Sequence, residues 1–220
     1  MRASAQPGRV EPRWPVILAI LGVLLVLTLV PARVRLLPAW TPYALGIALL
    51  VPIAGVSLSG GAARWLRVER ATTLVFSLLA EVIIFVTLLY LVVAMLNRPE
   101  DFSGRQLLTS SIGAWATNVL VFALVDWQID RGGPEARANG VGTKPDWLFP
   151  QMGVPELVTP AWRPTFIDYL FLAYSTATAF SPTDALPLTT RAKLLMMIES
   201  SVSLVTIVTV AARAINLLGG

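Results

Sequence analysis

The chain has 220 residues, 55% of them hydrophobic and only 14% charged, and its net charge is +4 at pH 7. A soluble domain with a mean hydropathy of +0.70 would aggregate, so the composition predicts an integral membrane protein. The absence of cysteine and histidine excludes disulfides, thiol nucleophiles and imidazole acid–base chemistry. The positive charge does not require a nucleic-acid partner, because most arginines flank apolar runs and are typical topology signals.

Four apolar runs follow a polar tail, residues 1–13. Each run is long enough to predict a spanning helix: Trp14–Pro31, Thr41–Leu58, Ala71–Leu96 and Leu107–Val125. The first run is not followed by a small-x-small cleavage site, which favours an anchored helix over a signal peptide. Residues 14–125 are therefore predicted to be a four-helix transmembrane region.

A polar segment, residues 126–164, comes next. It is rich in glycine, proline and charge, so we predict a long loop without regular structure. Two apolar-aromatic pieces within it, "DWLFP" and "VTPAWRP", are predicted to dock at the membrane surface, because tryptophan favours that layer.

The last part of the chain, residues 165–220, is predicted to form a hairpin. Thr165–Phe180 is shorter than the roughly 20 residues that a span needs, which favours a re-entrant or interfacial helix. The final helix is predicted to start at Thr189 or Thr190, either of which is a plausible N-cap, and to end near Leu218. The fold class is thus an all-α polytopic membrane bundle with about five spans and one short re-entrant helix. A six-span arrangement is the alternative.

Arginines set the predicted topology. Those in the tail and in the loop after the second span lie on one side: Arg2, Arg9, Arg13, Arg64, Arg67 and Arg70. The positive-inside rule then predicts a cytoplasmic amino terminus and a multi-pass protein of the bacterial plasma (inner) membrane. The long polar segment and the hairpin turn are predicted to face the cytoplasm as well.

The stretch "DYLFLAYSTATAFSPTDALPLTTRAKLLMMIES" resembles the pore half of two-helix potassium channels. Those channels have an aromatic pore helix, a threonine-rich step, an Asp after the filter and an inner helix. The resemblance implies a pore lined by residues of this hairpin: Thr176, Thr178, Ser181, Thr183, Asp184, Glu199, Ser203 and Thr206. The filter is degenerate, since no glycine lies between Gly153 and Gly219 to permit a ring of backbone carbonyls. A pore without potassium selectivity is therefore expected.

A second resemblance covers more of the chain. Four spans, an "FP" step, the helix "DYLFLAYS", the turn "TAFSPTDA" and a long last helix are similar to a bacterial membrane family, the domain of unknown function 1345. That resemblance implies an architecture and no particular activity.

Ionisable residues inside apolar helices need a physical reason, because burying them costs several kcal/mol. Glu81 lies within the third run and Glu199 within the last helix, where it shares a face with Ser203 and Thr206. One interpretation is packing, with Glu81 as a neutral carboxyl hydrogen-bonded to Asn118 or to nearby hydroxyls. The other is a proton or cation site in a polar path.

Three functional hypotheses follow. The first is an atypical oligomeric ion channel; the alternatives are a non-conducting structural or interaction protein and a proton-coupled small-solute transporter that uses the buried acids. The expected partners are the lipid bilayer, further copies of the chain, and a monovalent cation or a proton. No motif for catalysis, a cofactor or a metal is present, so we do not expect an enzyme.

Overall fold

The computed structural model describes residues 11–29, 38, 40–97, 104–159, 162–179 and 185–218, and it confirms an all-α bundle. The helices of this part of the chain are α1 (Trp14–Leu29), α2 (Thr41–Leu58), α3 (Ala63–Asn97), α4 (Gly104–Ile129), α5 (Pro134–Ala138), α6 (Phe166–Ala179) and α7 (Thr190–Leu218). Two short strands, β1 (Trp147–Leu148) and β2 (Leu186–Pro187), pair antiparallel.

Four helices, α2, α3, α4 and α7, are long and apolar enough to cross a membrane. α1 has 16 residues, which is below the roughly 20 that a crossing needs. Large apolar side chains cover the outer faces of these helices, as in a multi-pass membrane protein.

Helix α3 begins eight residues before the predicted Ala71, since it starts at Ala63. The preceding Gly60 and Gly61 have positive φ angles of 64° and 90°, which glycine adopts without strain, and they end the turn after α2. The first turns of α3 therefore carry arginines that the sequence pattern had placed in a loop. α2 and α3 then pack so closely that a Cβ on Gly55 would lie 2.4 Å from the Trp65 ring.

Helix α4 is at the centre of the bundle and contacts α1, α3, α6 and α7. α6 runs antiparallel to α4, because Phe166 contacts Trp127 while Tyr174 contacts Trp115, with ring centroids 6.1 and 5.7 Å apart. α6 therefore enters the bundle from the end at which α4 finishes.

Helix α7 starts at the same end of the bundle as α6. Arg191 near its start donates to the carbonyl of Ile129 at the end of α4, whereas Ser203 is bonded to Asn118 farther along α4. β2, which precedes α7, lies back beside β1. The 14-residue α6 thus starts at the end of the bundle where α4 finishes, and β2, which follows it in the chain, lies at that same end. This arrangement confirms the predicted re-entrant helix.

The prediction that residues 126–164 lack regular structure is wrong. α4 continues to Ile129, a 3-10 turn and α5 follow, and β1 pairs with β2. We call this end of the bundle the cap: residues 11–13, 127–159 and 162–165, with the adjoining turns of α3, α6 and α7. Trp147 and Phe149 of "DWLFP" do not dock at the membrane surface, because they are buried against Tyr169 within the cap.

Candidate functional site

The cap contains a buried ion-pair network around Arg13. Its Nε and Nη2 donate to the two oxygens of Glu69 at 2.9 and 3.1 Å, and Nη2 also donates to Glu135. The Arg13 and Glu69 side chains are only 3% and 2% exposed. Burial alone would lower the pKa of Arg13, but the bonds and charges of these two acids raise it. The pair joins the segment before α1 to α3 and α5.

A second buried cation, Arg137 of α5, joins the end of α4 to the segments that precede α1 and α6. It donates to the carbonyls of Trp127, Asp130 and Pro164 at 3.0–3.1 Å, and it lies 4.8 Å from the Tyr169 ring centroid. It also pairs with Glu11 at 3.3 Å. Guanidinium groups suit such positions because they supply five donors in a fixed plane.

Asp130 and Asp146 complete the cap. Asp130 accepts a hydrogen bond from the Tyr169 hydroxyl at 2.5 Å and another from the Asp146 N–H at 2.7 Å. Burial raises the pKa of Tyr169 well above its ordinary value, so the phenol stays a neutral donor. Asp146 accepts from Thr189 Oγ1 and Arg191 Nε, both at 2.6 Å. Thr189 also accepts from the backbone N–H of residue 192, as predicted for an N-cap.

The bundle interior holds three acids in a different situation. Glu199 is 0% exposed, and neither of its carboxyl oxygens has a hydrogen-bond partner among the described residues. Both Glu81 oxygens and one Asp126 oxygen are likewise buried without a described partner. The three acids belong to α3, α4 and α7, which pack on one another.

These acids lie at increasing distance from the cap. Asp126 is three residues from the end of α4, a depth of about 5 Å at 1.5 Å per residue. Glu199 lies nine residues after the start of α7, at about 14 Å. Glu81 lies twelve residues after Glu69 of the cap, at about 18 Å. On α3, Thr73 and Ser77 fill the four-residue steps between Glu69 and Glu81. Both are 1% exposed, and neither hydroxyl has a described partner. A polar line thus runs from the cap into the bundle.

Asn118 lies beside Glu199. Its Nδ2 donates to the backbone carbonyl of Glu199 at 3.1 Å and to Ser203 Oγ at 2.9 Å. The prediction that Glu81 bonds to Asn118 or to a nearby hydroxyl is wrong, because no described group bonds to the Glu81 carboxyl. Asn118 instead fixes the position of the α7 backbone that carries Glu199.

The structure places the other predicted site residues in three settings. Ser203 and Thr206 are buried with Glu199 on the face of α7 that packs into its own bundle. Thr176 is buried and its hydroxyl has no partner among the described residues, whereas Thr178 is exposed and donates to its own helix. The remaining three predicted residues lie outside the described part of the chain: Ser181, Thr183 and Asp184.

Sequence reasoning missed Asp126 and the cap charges. Asp126 follows Asn118 by eight residues on one helical face, so a fourth span extended past Val125 would have revealed it. Comparisons with known families, with curated proteins and with solved structures found no match. The two resemblances therefore remain predictions that rest on the quoted residues.

Proposed function

We propose that this membrane protein is a proton-coupled transporter of a small solute, with Asp126, Glu199 and Glu81 as its proton-carrying groups. The observation that supports this most is Glu199, a fully buried carboxyl with both oxygens unpartnered among the described residues. Ionisable residues in spans usually mark ion or proton paths.

The physical argument starts from the cost of burial. An ionised carboxylate without a partner is expensive to bury, so the resting interior holds these groups in neutral form. Packing alone is better served by an apolar side chain of similar volume, or by a carboxyl bonded to a neighbour. Three buried acids without such bonds among the described residues instead suit groups that take up and release a proton.

The path begins at the cap. Asp126 is nearest to it, Glu199 is next, and the hydroxyls of Thr73 and Ser77 follow α3 toward Glu81. Unpartnered buried hydroxyls of this kind are where bridging water is held in proteins. Proton transfer over such distances needs these intermediate groups, because direct transfer requires hydrogen-bond contact.

The channel hypothesis remains a prediction with less support. Ser203 bonds to Asn118 of α4, and Glu199 and Thr206 are buried within the same chain, so these three residues are not available to line an axis between subunits. For orientation, we propose that the cap faces the cytoplasm of a bacterium. Described basic residues are concentrated at the cap end, which favours that side: Arg13, Arg64, Arg67, Arg70, Arg131, Arg137, Lys144, Arg163, Arg191 and Lys193.

Infrared spectroscopy of the protein in nanodiscs tests the proposal. Between pH 5 and pH 9 we expect a protonated-carboxyl absorption that responds to bulk pH and loses one component in Glu199→Gln. Glu156→Gln is the matched control, since Glu156 is exposed in the cap. If the carboxyl absorption of Glu199 does not change with bulk pH, Glu199 is a packing group that does not exchange its proton, and the proposal is overturned.

A further inference from the structure

A groove between α3 and α7 opens on the lipid-facing side of the bundle. Its volume is about 490 Å³, within the range of small-molecule sites. Both helices supply its walls, which include Glu81, Val82, Phe85, Met197, Ser201 and Val205.

One ionisable side chain lines this groove. Of the described residues that line it, all are apolar except Glu81 and Ser201. The Ser201 hydroxyl is already used, since it donates to the Met197 carbonyl at 2.7 Å. Glu81 is different, because its carboxyl oxygens are buried in the groove wall and have no partner among the described residues. The groove therefore combines an apolar wall with a single unpartnered carboxyl group.

We infer that this groove binds a lipophilic monocation, an organic cation with a bulky apolar body, and that Glu81 is its counter-ion. This inference rests on the proposed proton-coupled function and names its substrate class. Phe85 lies one helical turn from Glu81, lines the groove and is 50% exposed, so its ring is accessible to a bound cation. The apolar walls fit the body of such a molecule, and one carboxylate balances one positive charge.

Other occupants fit less well. An anion would face Glu81 without a positive group in the groove lining. A metal ion needs several oxygen ligands, and no group of three or more acidic side chains among the described residues could hold one. A lipid acyl chain gives no role to an unpartnered carboxyl.

The exchange is balanced in charge and atoms. When the cation enters, the Glu81 O–H bond breaks, the carboxylate pairs with the cation, and the proton leaves for water by way of Glu199 and Asp126. Those two acids are buried in the described parts of α7 and α4, the helices that pack on α3 beside α2. α2, which also packs on α3, has no acidic or basic residue.

Equilibrium binding of tetraphenylphosphonium to the full chain in nanodiscs tests the inference. We expect saturable binding at pH 8 that weakens at least tenfold at pH 5.5, and a similar loss at pH 8 in Glu81→Gln. Val205→Trp, which fills the groove and leaves Glu81 in place, should also abolish binding. Glu81→Asp should retain part of it, and Glu156→Gln should match the parent.

Parent-like binding in either Glu81→Gln or Val205→Trp would overturn the inference, provided that thermal unfolding shows a folded variant. The outcome is separable from that of the proposed function. If tetraphenylphosphonium binding depends on Glu81 but the Glu199 absorption does not change with pH, the groove site is supported and the proton path is not. A pH-responsive Glu199 band without tetraphenylphosphonium binding would do the reverse.

Discussion

The cap and the bundle interior bury the same kinds of acid in opposite ways. In the cap, Glu69 and Asp146 each accept hydrogen bonds from a guanidinium group. In the interior, Glu199 and Glu81 have no such partner among the described residues. Burial alone therefore does not mark a functional acid.

What separates the two regions is the supply of donors. Cap acids accept hydrogen bonds from arginines and backbone N–H groups, so they join segments that are far apart in sequence. Among the residues that the structure describes, interior acids have no positive partner of this kind, so their charge state depends on proton exchange. We therefore expect the cap to stabilise the fold and the interior acids to exchange protons. Single substitutions should separate these roles through their effects on the free energy of unfolding.

The largest effect is expected for Arg13→Met. Removal of the guanidinium leaves Glu69 and Glu135 as uncompensated charges, and breaking a buried pair costs about 3–5 kcal/mol. The free energy of unfolding, measured by denaturant titration in detergent, should fall by that amount. Arg67→Met is the control, since Arg67 is exposed on α3, and an equal loss in both variants would contradict the assignment.

Asp146→Asn should have a smaller effect. Its side chain is fully buried and accepts from Thr189 and Arg191, and hydrogen bonds to charged groups contribute about 1.5–3 kcal/mol. Arg191 is half-exposed and can return to water, which limits the loss. We expect a decrease of about 2 kcal/mol in the same titration, and a decrease as large as that of Arg13→Met would show that this reasoning is wrong.

Tyr169→Phe should cost about 1 kcal/mol, because it removes one hydrogen bond and keeps the ring. Asp130 would still accept from the backbone of Asp146. Tyr43→Phe serves as the control because Tyr43 is 68% exposed. The two melting temperatures should differ; equal values would mean that the Tyr169 hydroxyl does not contribute to stability.

The smallest effect on stability is expected for Glu199→Gln. The substitution removes an ionisable group without breaking a described bond, so the free energy of unfolding should change by less than about 0.5 kcal/mol. Glu69→Gln is the matched comparison and should destabilise clearly, because it disrupts the pair with Arg13. If Glu199→Gln proves as damaging as Glu69→Gln, the two regions do not differ as proposed.

Much of the fold was predictable from the sequence. The second span, Thr41–Leu58, has the predicted bounds, and the short length of the Thr165–Phe180 segment correctly indicated a re-entrant helix. Hydropathy works well here because membrane helices satisfy their own backbone and show a continuous apolar run.

The cap was not predictable by the same reasoning. Its order depends on side-chain bonds between distant positions, such as the hydrogen bond from the Phe166 N–H to Glu11. Composition only registers that residues 126–164 are polar, and a polar segment looks the same whether its charges face water or one another. The interior site was partly predictable, since Glu81 and Glu199 stand out in apolar helices, whereas the lack of a bond from Asn118 to Glu81 required coordinates.

The contacts of Glu11 and Arg13 also set an order of assembly. These residues leave the ribosome before their partners, since Glu135 and Phe166 are 122 and 155 positions farther along the chain. α1 is therefore made well before the cap can close, because Arg13 needs α3 and α5 whereas Glu11 needs α5 and α6. A nascent chain that stops before α5 lacks Glu135, and one that stops before α6 lacks the Phe166 N–H, so the cap closes only after both have been made.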